Sequence, residues 1–274
     1  MSISATLSAM KRGLSVSDYV NNLQKKGRYT FSLQDVRSVV AIRPDALTKA
    51  LQRLTQSKRL CQIRRTFYVV VPMEYSSGGI LPPDWFIDDF MKYIELPYYV
   101  GLLSAASLHG AGHQQPQEFQ IVVPRHERPI NKPNLRLHFF RYSRMAKVLT
   151  VKIKTFTGNI SVSSPESTAL DLCRFSGQIG GMSAVWTVLT DLVKKMTPDA
   201  LLTASRYETE LSQVQRLGWL LELIGESRLA EPLSVWLSEQ QPRKAPLDIL
   251  KPEKGCRKNS RWQIIVNTQP ESDI

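Results

Sequence analysis

Side chains able to hydrogen-bond nucleobases recur along a predicted helix at residues 45–58. Asp45, Lys49, Gln52 and Gln56 share one face, with Thr48 and Arg53 at its flanks and Arg43 close by. The opposite face is apolar and carries Leu47, Ala50, Leu51 and Leu54 at the spacing of helix turns. Such a helix can pack on a small domain and present its polar side chains to a DNA groove. An ordinary amphipathic surface helix has the same periodicity, so both interpretations stay open at this point.

The elements around this helix favour DNA binding. Helices are predicted over residues 15–26 and 33–40, and Pro44 suits the first turn of the helix from residue 45. A three- to four-residue link between two short helices is typical of a helix-turn-helix. Strands at residues 60–63 and 67–71, joined by a turn, complete the pattern of a winged helix-turn-helix. Arg64 and Arg65 lie at the tip of this wing, where they would meet phosphates.

Positive charge is concentrated in the same part of the chain. The net charge is +12, and residues 1–80 carry 13 Lys/Arg against 4 Asp/Glu. A cluster of Lys25, Lys26 and Arg28 ends the first helix, and Lys11 and Arg12 form a short basic arm. A basic segment of this kind indicates a polyanionic partner, because cations placed on phosphates release counterions.

The composition between residues 76 and 83, Ser-Ser-Gly-Gly followed by two prolines, predicts a domain boundary. We expect residues 1–80 to form the winged helix-turn-helix domain and residues 81–274 to form a larger α+β domain. In the second domain, a mostly antiparallel sheet is predicted from strands near residues 119–123, 135–142, 148–156 and 160–162, followed by helices. Residues 98–109 read as a helix, and Ser163 with Glu166 has capping-box spacing at the start of another.

Residues suited to catalysis or to metal binding have little support in their surroundings. No phosphate-binding, dinucleotide-binding, hydrolase or metalloprotease motif occurs. The His109/His113 pair is interrupted by glycines, adjacent Asp88 and Asp89 point to different sides of a helix, and Asp171 reads as a buried hydrogen-bonding group. We therefore expect no enzyme activity, no metal and no cofactor.

Composition also bounds the cellular location. No run of about 18 apolar residues occurs, so no transmembrane helix is expected, and the first residues lack the apolar core of a secretory signal. The three cysteines, Cys61, Cys173 and Cys256, are widely spaced and predict reduced thiols. These features predict a cytoplasmic protein.

Four segments in a fixed order carry a family resemblance. They are YYVGLLSAASLHG from residue 98, QIVVP from residue 120, SSPESTALDLC from residue 163 and RWQIIVN from residue 261. With the preceding winged helix-turn-helix, this set resembles the AbiEi antitoxins of bacterial type IV, abortive-infection toxin–antitoxin systems. Ser167 stands where many members have an arginine, so the resemblance carries no role over to that position.

The resemblance implies that the N-terminal domain binds inverted repeats in its own promoter and represses the operon. It implies that the C-terminal domain counteracts a nucleotidyltransferase-like toxin in phage defence without necessarily forming a stable complex. No coiled-coil heptads occur, so we expect a monomer that loads cooperatively on DNA. Two alternatives from other classes are a nucleic-acid-modifying enzyme and an interaction module that binds an acidic partner.

Overall fold

The computed structural model describes residues 14–112 and 116–270 and shows a mixed α+β protein. Its chain forms two compact units. The first comprises the described residues up to Pro97 together with Pro129–Leu137 and Lys154–Ile160, and the second comprises the others. The predicted domain limits of 1–80 and 81–274 stay a prediction. In the part of the chain that is described, no helix has the length and apolar character needed to cross a membrane.

The helices, in chain order, are α1 (Val16–Lys25), α2 (Leu33–Val39), α3 (Pro44–Gln56), α4 (Ile87–Tyr93), α5 (Leu102–Leu108), α6 (Pro165–Arg174), α7 (Gly181–Leu192), α8 (Pro198–Arg206), α9 (Leu211–Ile224) and α10 (Ser227–Glu239). The strands are β1 (Thr30–Ser32), β2 (Leu60–Arg64), β3 (Phe67–Val70), β4 (Tyr99–Val100), β5 (Phe119–Val123), β6 (Ile130–Lys132), β7 (Leu135–Arg141), β8 (Thr150–Lys154), β9 (Asn159–Ser163), β10 (Ala245–Pro246), β11 (Arg257–Asn259) and β12 (Ile264–Val266).

Local signals fix the helices of the first unit. Ser15 caps α1 and Ser32 caps α2, each in a capping box with the aspartate three residues later. Pro44 occupies the first turn of α3, as its sequence position predicts. The side chains that these helices bury, including Tyr19 and Leu51, form one core with the strands.

A three-stranded antiparallel sheet in the order β1-β3-β2 supports these helices. Alternate residues of β3 point to the two faces of the sheet, because successive side chains of a strand lie on opposite sides. Tyr68 stacks on Phe31 in the helical core, with ring centres 5.4 Å apart. Phe67 instead packs against Phe90 of α4, also at 5.4 Å. The hairpin of β6 and the first part of β7 belongs to the same unit, and Asn134 at its turn donates to the Gly78 carbonyl.

The sheet of the second unit is mixed. Strand β4 pairs with β5 in antiparallel and with β9 in parallel orientation, in the order β7-β5-β4-β9-β8. The predicted helix over residues 98–109 is therefore wrong at its start, because Tyr99 and Val100 form the central strand. The reason is non-local: a Cβ at Gly101 would lie 2.8 Å from Val122, so glycine permits this close strand contact.

The cap of α6 also differs from the prediction. Ser164, not Ser163, is the N-cap and accepts a hydrogen bond from the Ser167 amide. The Ser163 hydroxyl contacts that of Thr168 at 2.7 Å. Glu166 turns away from a capping box and accepts from the amide of Thr197. Tertiary partners thus outweigh the local capping pattern.

The C-terminal strands are anchored on α9. The small sheet β10-β12-β11 has a parallel pair and an antiparallel pair. The fully buried Trp262 lies against Gly218 in the middle of α9, where a Cβ would come within 2.0 Å of its ring. The glycine costs helix propensity and in exchange makes room for the indole.

Candidate nucleic-acid interface

The outer face of α3 is polar and exposed, while its inner face is buried. Leu47 and Leu51 are almost fully buried in the core of the first unit. The predicted contact residues on this helix, Thr48, Lys49, Gln52 and Arg53, are all exposed. The side-chain separation that the sequence predicts is therefore present in the structure.

The start of α3 leaves its backbone donors uncapped by side chains. Arg43 is the N-cap residue, yet its side chain makes no capping hydrogen bond and is exposed. The first-turn N–H groups of a helix attract anions, and Asp45 in this turn already supplies a negative charge there. Thr48 donates its hydroxyl to the Pro44 carbonyl, which leaves its oxygen lone pairs and its methyl group for an external contact.

The turn of the β2–β3 hairpin carries the two predicted wing arginines. Arg65 is exposed in the turn, and Arg64 is half-buried at the end of β2. Gln62 holds this turn, because its amide donates to the Arg65 carbonyl and to the Tyr68 hydroxyl. Strand β2 and helix α3 together border a groove of about 380 Å³ lined by Thr48, Gln52, Gln56, Gln62 and Tyr68.

The hairpin turn is also tied to the rest of the first unit. The Thr66 carbonyl accepts from the backbone amide of Leu33, the first residue of α2, at 2.8 Å. The Thr66 side chain contacts the Tyr93 hydroxyl at 2.7 Å. These contacts tie the turn that carries Arg65 to both α2 and α4.

The third predicted group lies at the end of α1. Lys25, Lys26 and Arg28 are exposed. Lys26 and Arg28 line a separate groove of about 310 Å³ with Asp35 and Ser38 of α2. The structure thus groups the α3 residues with the β2 strand and groups the α1 cations with α2. Lys11 and Arg12 lie outside the described residues.

Sequence reasoning did not include Gln56 or Gln62 among the contact residues. Gln56 is exposed on the outer face of α3, and Gln62 faces it from β2 across the groove. The helical periodicity contains the signal for Gln56. No local pattern marks Gln62, because its side of the strand depends on how β2 packs.

Positive charge also recurs between residues 125 and 154. This stretch carries nine Lys/Arg and one Asp/Glu, although residues 81–274 as a whole reach only +3. Averaging over the predicted second domain hides this excess. Its cationic side chains are exposed, so residues 125–154 form a further local basic segment.

Among the described residues, a buried charged cluster in the second unit most closely resembles an active site. Arg174 donates to Asp171 and to Glu208, and the Tyr99 hydroxyl donates to Asp171 at 2.8 Å. Burial removes the Asp171 carboxylate from water and raises its pKa to about 6, although Arg174 and the Tyr99 hydroxyl favour the charged form. Burial likewise raises the pKa of Tyr99. These groups satisfy one another, which is typical of a structural cluster.

The other candidate chemical groups have local partners or ordinary surroundings. His109 ends α5, and its Nε2 lies 2.7 Å from the Ser163 carbonyl. His113 lies outside the described residues, among which no cluster of His, Cys, Asp and Glu has the geometry of a metal site. Burial raises the pKa of the Cys173 thiol to about 12, which keeps it protonated and unreactive.

Comparison with known families defines the second part of the chain. Residues 99–223 match the family model of the AbiEi antitoxin C-terminal domain. These residues therefore form an AbiEi antitoxin C-terminal domain, and the family resemblance is confirmed for this part of the chain. The presence of this domain fits a toxin–antitoxin system. No curated protein matches the chain in sequence.

Solved structures extend the comparison to the fold. The chain is similar to the RV2827C protein from Mycobacterium tuberculosis, with a TM-score of 0.65, 14% identity and coverage of 93% of this chain and 94% of that one. This likeness concerns the fold alone. An antigenic nucleotidyltransferase-like protein from Paracoccidioides brasiliensis reaches a TM-score of 0.38 at 9% identity, covering 55% of this chain and 89% of that one. At that score the likeness supports no conclusion.

Proposed function

We propose that this protein is the antitoxin of a bacterial type IV toxin–antitoxin system and represses its own operon. Its first 80 residues bind inverted repeats in the promoter as a winged helix-turn-helix. Its C-terminal domain counteracts a nucleotidyltransferase-like toxin during phage defence, without a stable complex between the two. The protein acts in the cytoplasm as a monomer that loads cooperatively on DNA, and it has neither enzyme activity nor a cofactor.

The observation that carries the DNA-binding part is the exposed polar face of α3 beside the β2–β3 turn. The order α1-β1-α2-α3-β2-β3, with the sheet order β1-β3-β2, is the arrangement expected of a winged helix. Helix α3 serves as the recognition helix, and the turn with Arg65 serves as the wing. The basic composition of residues 1–80 supports a polyanionic partner.

Each predicted residue has a role in this proposal. Thr48, Lys49, Gln52 and Arg53 face base edges, with Arg43 at the helix start close to a phosphate. The remaining cations meet phosphates: Lys25, Lys26, Arg28, Arg64 and Arg65. A good contact to a base edge contributes roughly 1–3 kcal/mol of discrimination, whereas a phosphate contact strengthens binding to all sequences alike.

A gel-shift titration on the region upstream of its gene, at several salt concentrations, tests the proposal. The double variant Lys49→Ala/Arg53→Ala should bind the operator weakly, because two base-edge contacts are lost, and should lower the salt slope, because two cations leave the DNA-facing surface. The matched control is Arg243→Ala/Lys244→Ala, which removes two exposed cations from the second unit.

The outcome separates the proposal from its alternatives. Unchanged affinity and salt slope in the α3 double variant would show that this helix does not contact DNA. Failure of the wild-type protein to bind DNA at any salt, with capture of an acidic protein that survives high salt, would favour the interaction module. Turnover in a nucleotide-transfer assay on the purified protein would favour the enzyme.

A further inference from the structure

A groove in the second unit has the size and the lining of a ligand site. Its volume is about 590 Å³, within the range of roughly 300–1,000 Å³ that small-molecule sites occupy. Helices α7 and α9 and strand β11 supply its principal side chains: Trp186, Trp219, Glu222, Leu223, Arg257 and Asn259. None of these residues belongs to the proposed DNA interface.

Two indoles give this groove flat apolar walls. Trp186 and Trp219 are half-buried, each packing in part against the core of the second unit and in part bordering the groove. Leu223, next to them, is 45% exposed and adds apolar surface to the groove. Aromatic surfaces of this kind bind planar rings by stacking.

The free hydrogen-bonding groups of the groove are mainly donors. Among the described residues, neither Trp186 nor Trp219 finds an acceptor for its indole N–H, whereas the indole of Trp262 donates to Glu222. The Asn259 side-chain oxygen already accepts from the Trp262 amide, which leaves the NH₂ group of Asn259. The Arg257 guanidinium is exposed at the rim.

The only carboxylate that borders the groove in the described chain is already engaged. Glu222 accepts from Trp262 and lies 3.7 Å from the Arg261 guanidinium. A ligand that matches the site therefore brings acceptors and negative charge, together with a planar apolar ring.

We propose that this groove binds a nucleotide. The base lies against Trp186 or Trp219, its edge accepts from the amide of Asn259, and its phosphate pairs with Arg257. Base–aromatic stacking tolerates every base, and guanidinium–phosphate pairs are strong and directional. The proposal is independent of the DNA-binding function, because its site and its test involve no operator DNA.

Two polar groups that border the groove are held by hydrogen bonds to the core, as a binding site requires. Trp262 donates its indole N–H to Glu222 and its backbone amide to Asn259, and its ring packs against Gly218 of α9. The side-chain amide of Gln215, also on α9, donates to the Trp262 carbonyl at 3.1 Å. Strand β11 and helix α9 are thus joined by the same buried tryptophan.

Titration of the full-length protein with AMP, GMP, CMP and UMP tests the proposal, read by calorimetry and by tryptophan fluorescence. We expect saturable binding by at least one nucleotide, with quenching of indole fluorescence by the stacked base. The matching nucleoside should bind about tenfold more weakly, since it lacks the charge-assisted pair with Arg257. Ribose 5-phosphate and inorganic phosphate should not quench.

Matched variants locate the site. Arg257→Ala should weaken nucleotide binding about tenfold and leave nucleoside binding unchanged, while Lys258→Ala, the exposed neighbour on the same strand, should alter neither. At least one of Trp186→Leu and Trp219→Leu, the variant that removes the stacking indole, should reduce affinity and quenching, whereas Trp236→Leu, a half-buried tryptophan outside the groove, should do neither. Circular dichroism melting checks that each variant is folded.

The proposal is overturned if no nucleotide binds at millimolar concentration, or if folded variants at residues 186, 219 and 257 bind as the wild type does. Binding of a proline-rich peptide, but not of nucleotides, with sensitivity to both tryptophan variants would identify a different ligand. Operator binding should be unchanged in Arg257→Ala, so failure here is distinguishable from failure of the DNA-binding proposal.

Discussion

Helices α3 and α9 carry the same polar residue types in opposite environments, exposed on α3 and buried on α9. Both carry glutamine and arginine among apolar residues. On α3 the side chains of Gln52 and Arg53 are exposed, whereas on α9 Gln215 and Arg216 are 1% and 5% exposed. Polar residues on a helix therefore indicate a binding surface only where the protein itself leaves them without a partner.

The buried polar residues of α9 bind the protein's own backbone. The Gln215 amide donates to the carbonyls of residues 243, 262 and 263 at 2.8–3.1 Å, so its two hydrogens are shared among three acceptors. Arg216 donates to the Pro246 carbonyl and to Gln213, and burial lowers its pKa. These bonds hold the C-terminal strands against α9, as the residues of α3 would hold DNA.

The largest effect is expected at Gly218, where the packing of α9 tolerates no side chain. Gly218→Ala would normally favour a helix, but here the new methyl group meets the Trp262 ring. We expect a loss of about 3 kcal/mol in the free energy of unfolding, typical of severe overpacking. Urea denaturation measures it, with Ser212→Ala on the same helix as control. Equal stability of Gly218→Ala and wild type would contradict the tight contact.

Replacing one glutamine by leucine on each helix tests whether the polar residues of α9 stabilise the fold and those of α3 do not. Gln215→Leu should lower the free energy of unfolding by about 2 kcal/mol, because buried carbonyls lose their donor. Gln52→Leu should change stability by less than about 0.5 kcal/mol, because it is exposed. Denaturation of both variants is the measurement, and equal losses would refute the distinction between the helices.

The preference for operator DNA should depend on the glutamine of α3 and not on that of α9. Gln52→Leu should reduce the preference for operator over unrelated DNA by about 1–3 kcal/mol while leaving the salt slope unaltered, because glutamine carries no charge. Competition gel shifts measure this preference. A folded Gln215→Leu protein should retain it, and loss of discrimination in that variant alone would reverse the assignment.

The smallest effect concerns pH and the buried carboxylate of α6. Because the pKa of Asp171 is raised from 3.8 to about 6 in the folded protein, the folded state binds the proton more tightly. Its stabilising contribution is therefore present at low pH and is lost as the pH rises through 6. Between pH 5 and pH 7, wild type should lose about 1 kcal/mol relative to Asp171→Asn. Parallel curves for the two proteins in chemical denaturation would refute the shift.

Local sequence signals predicted the first unit well and the second less well. Capping serines, Pro44 and helical periodicity act within a few residues, and the structure confirms the limits of α1, α2 and α3 to within two residues. In the second unit, the segment from Tyr99 looked helical yet forms the central strand. Its conformation depends on strand neighbours more than 20 residues away, which no local pattern contains.

Sequence alone determined the basic N-terminal composition, the amphipathic α3 and the family resemblance that the domain match confirms. Only the tertiary structure decided which polar side chains are bonded within the protein and which are exposed to an external partner. It buried Gln215 and Arg216 under the C-terminal strands, and it gathered Trp186, Trp219 and Arg257 around one groove. The physical reason is that a hydrogen bond or a ring contact is satisfied by whatever lies beside it in space, and residues 186 and 257 are neighbours only after folding.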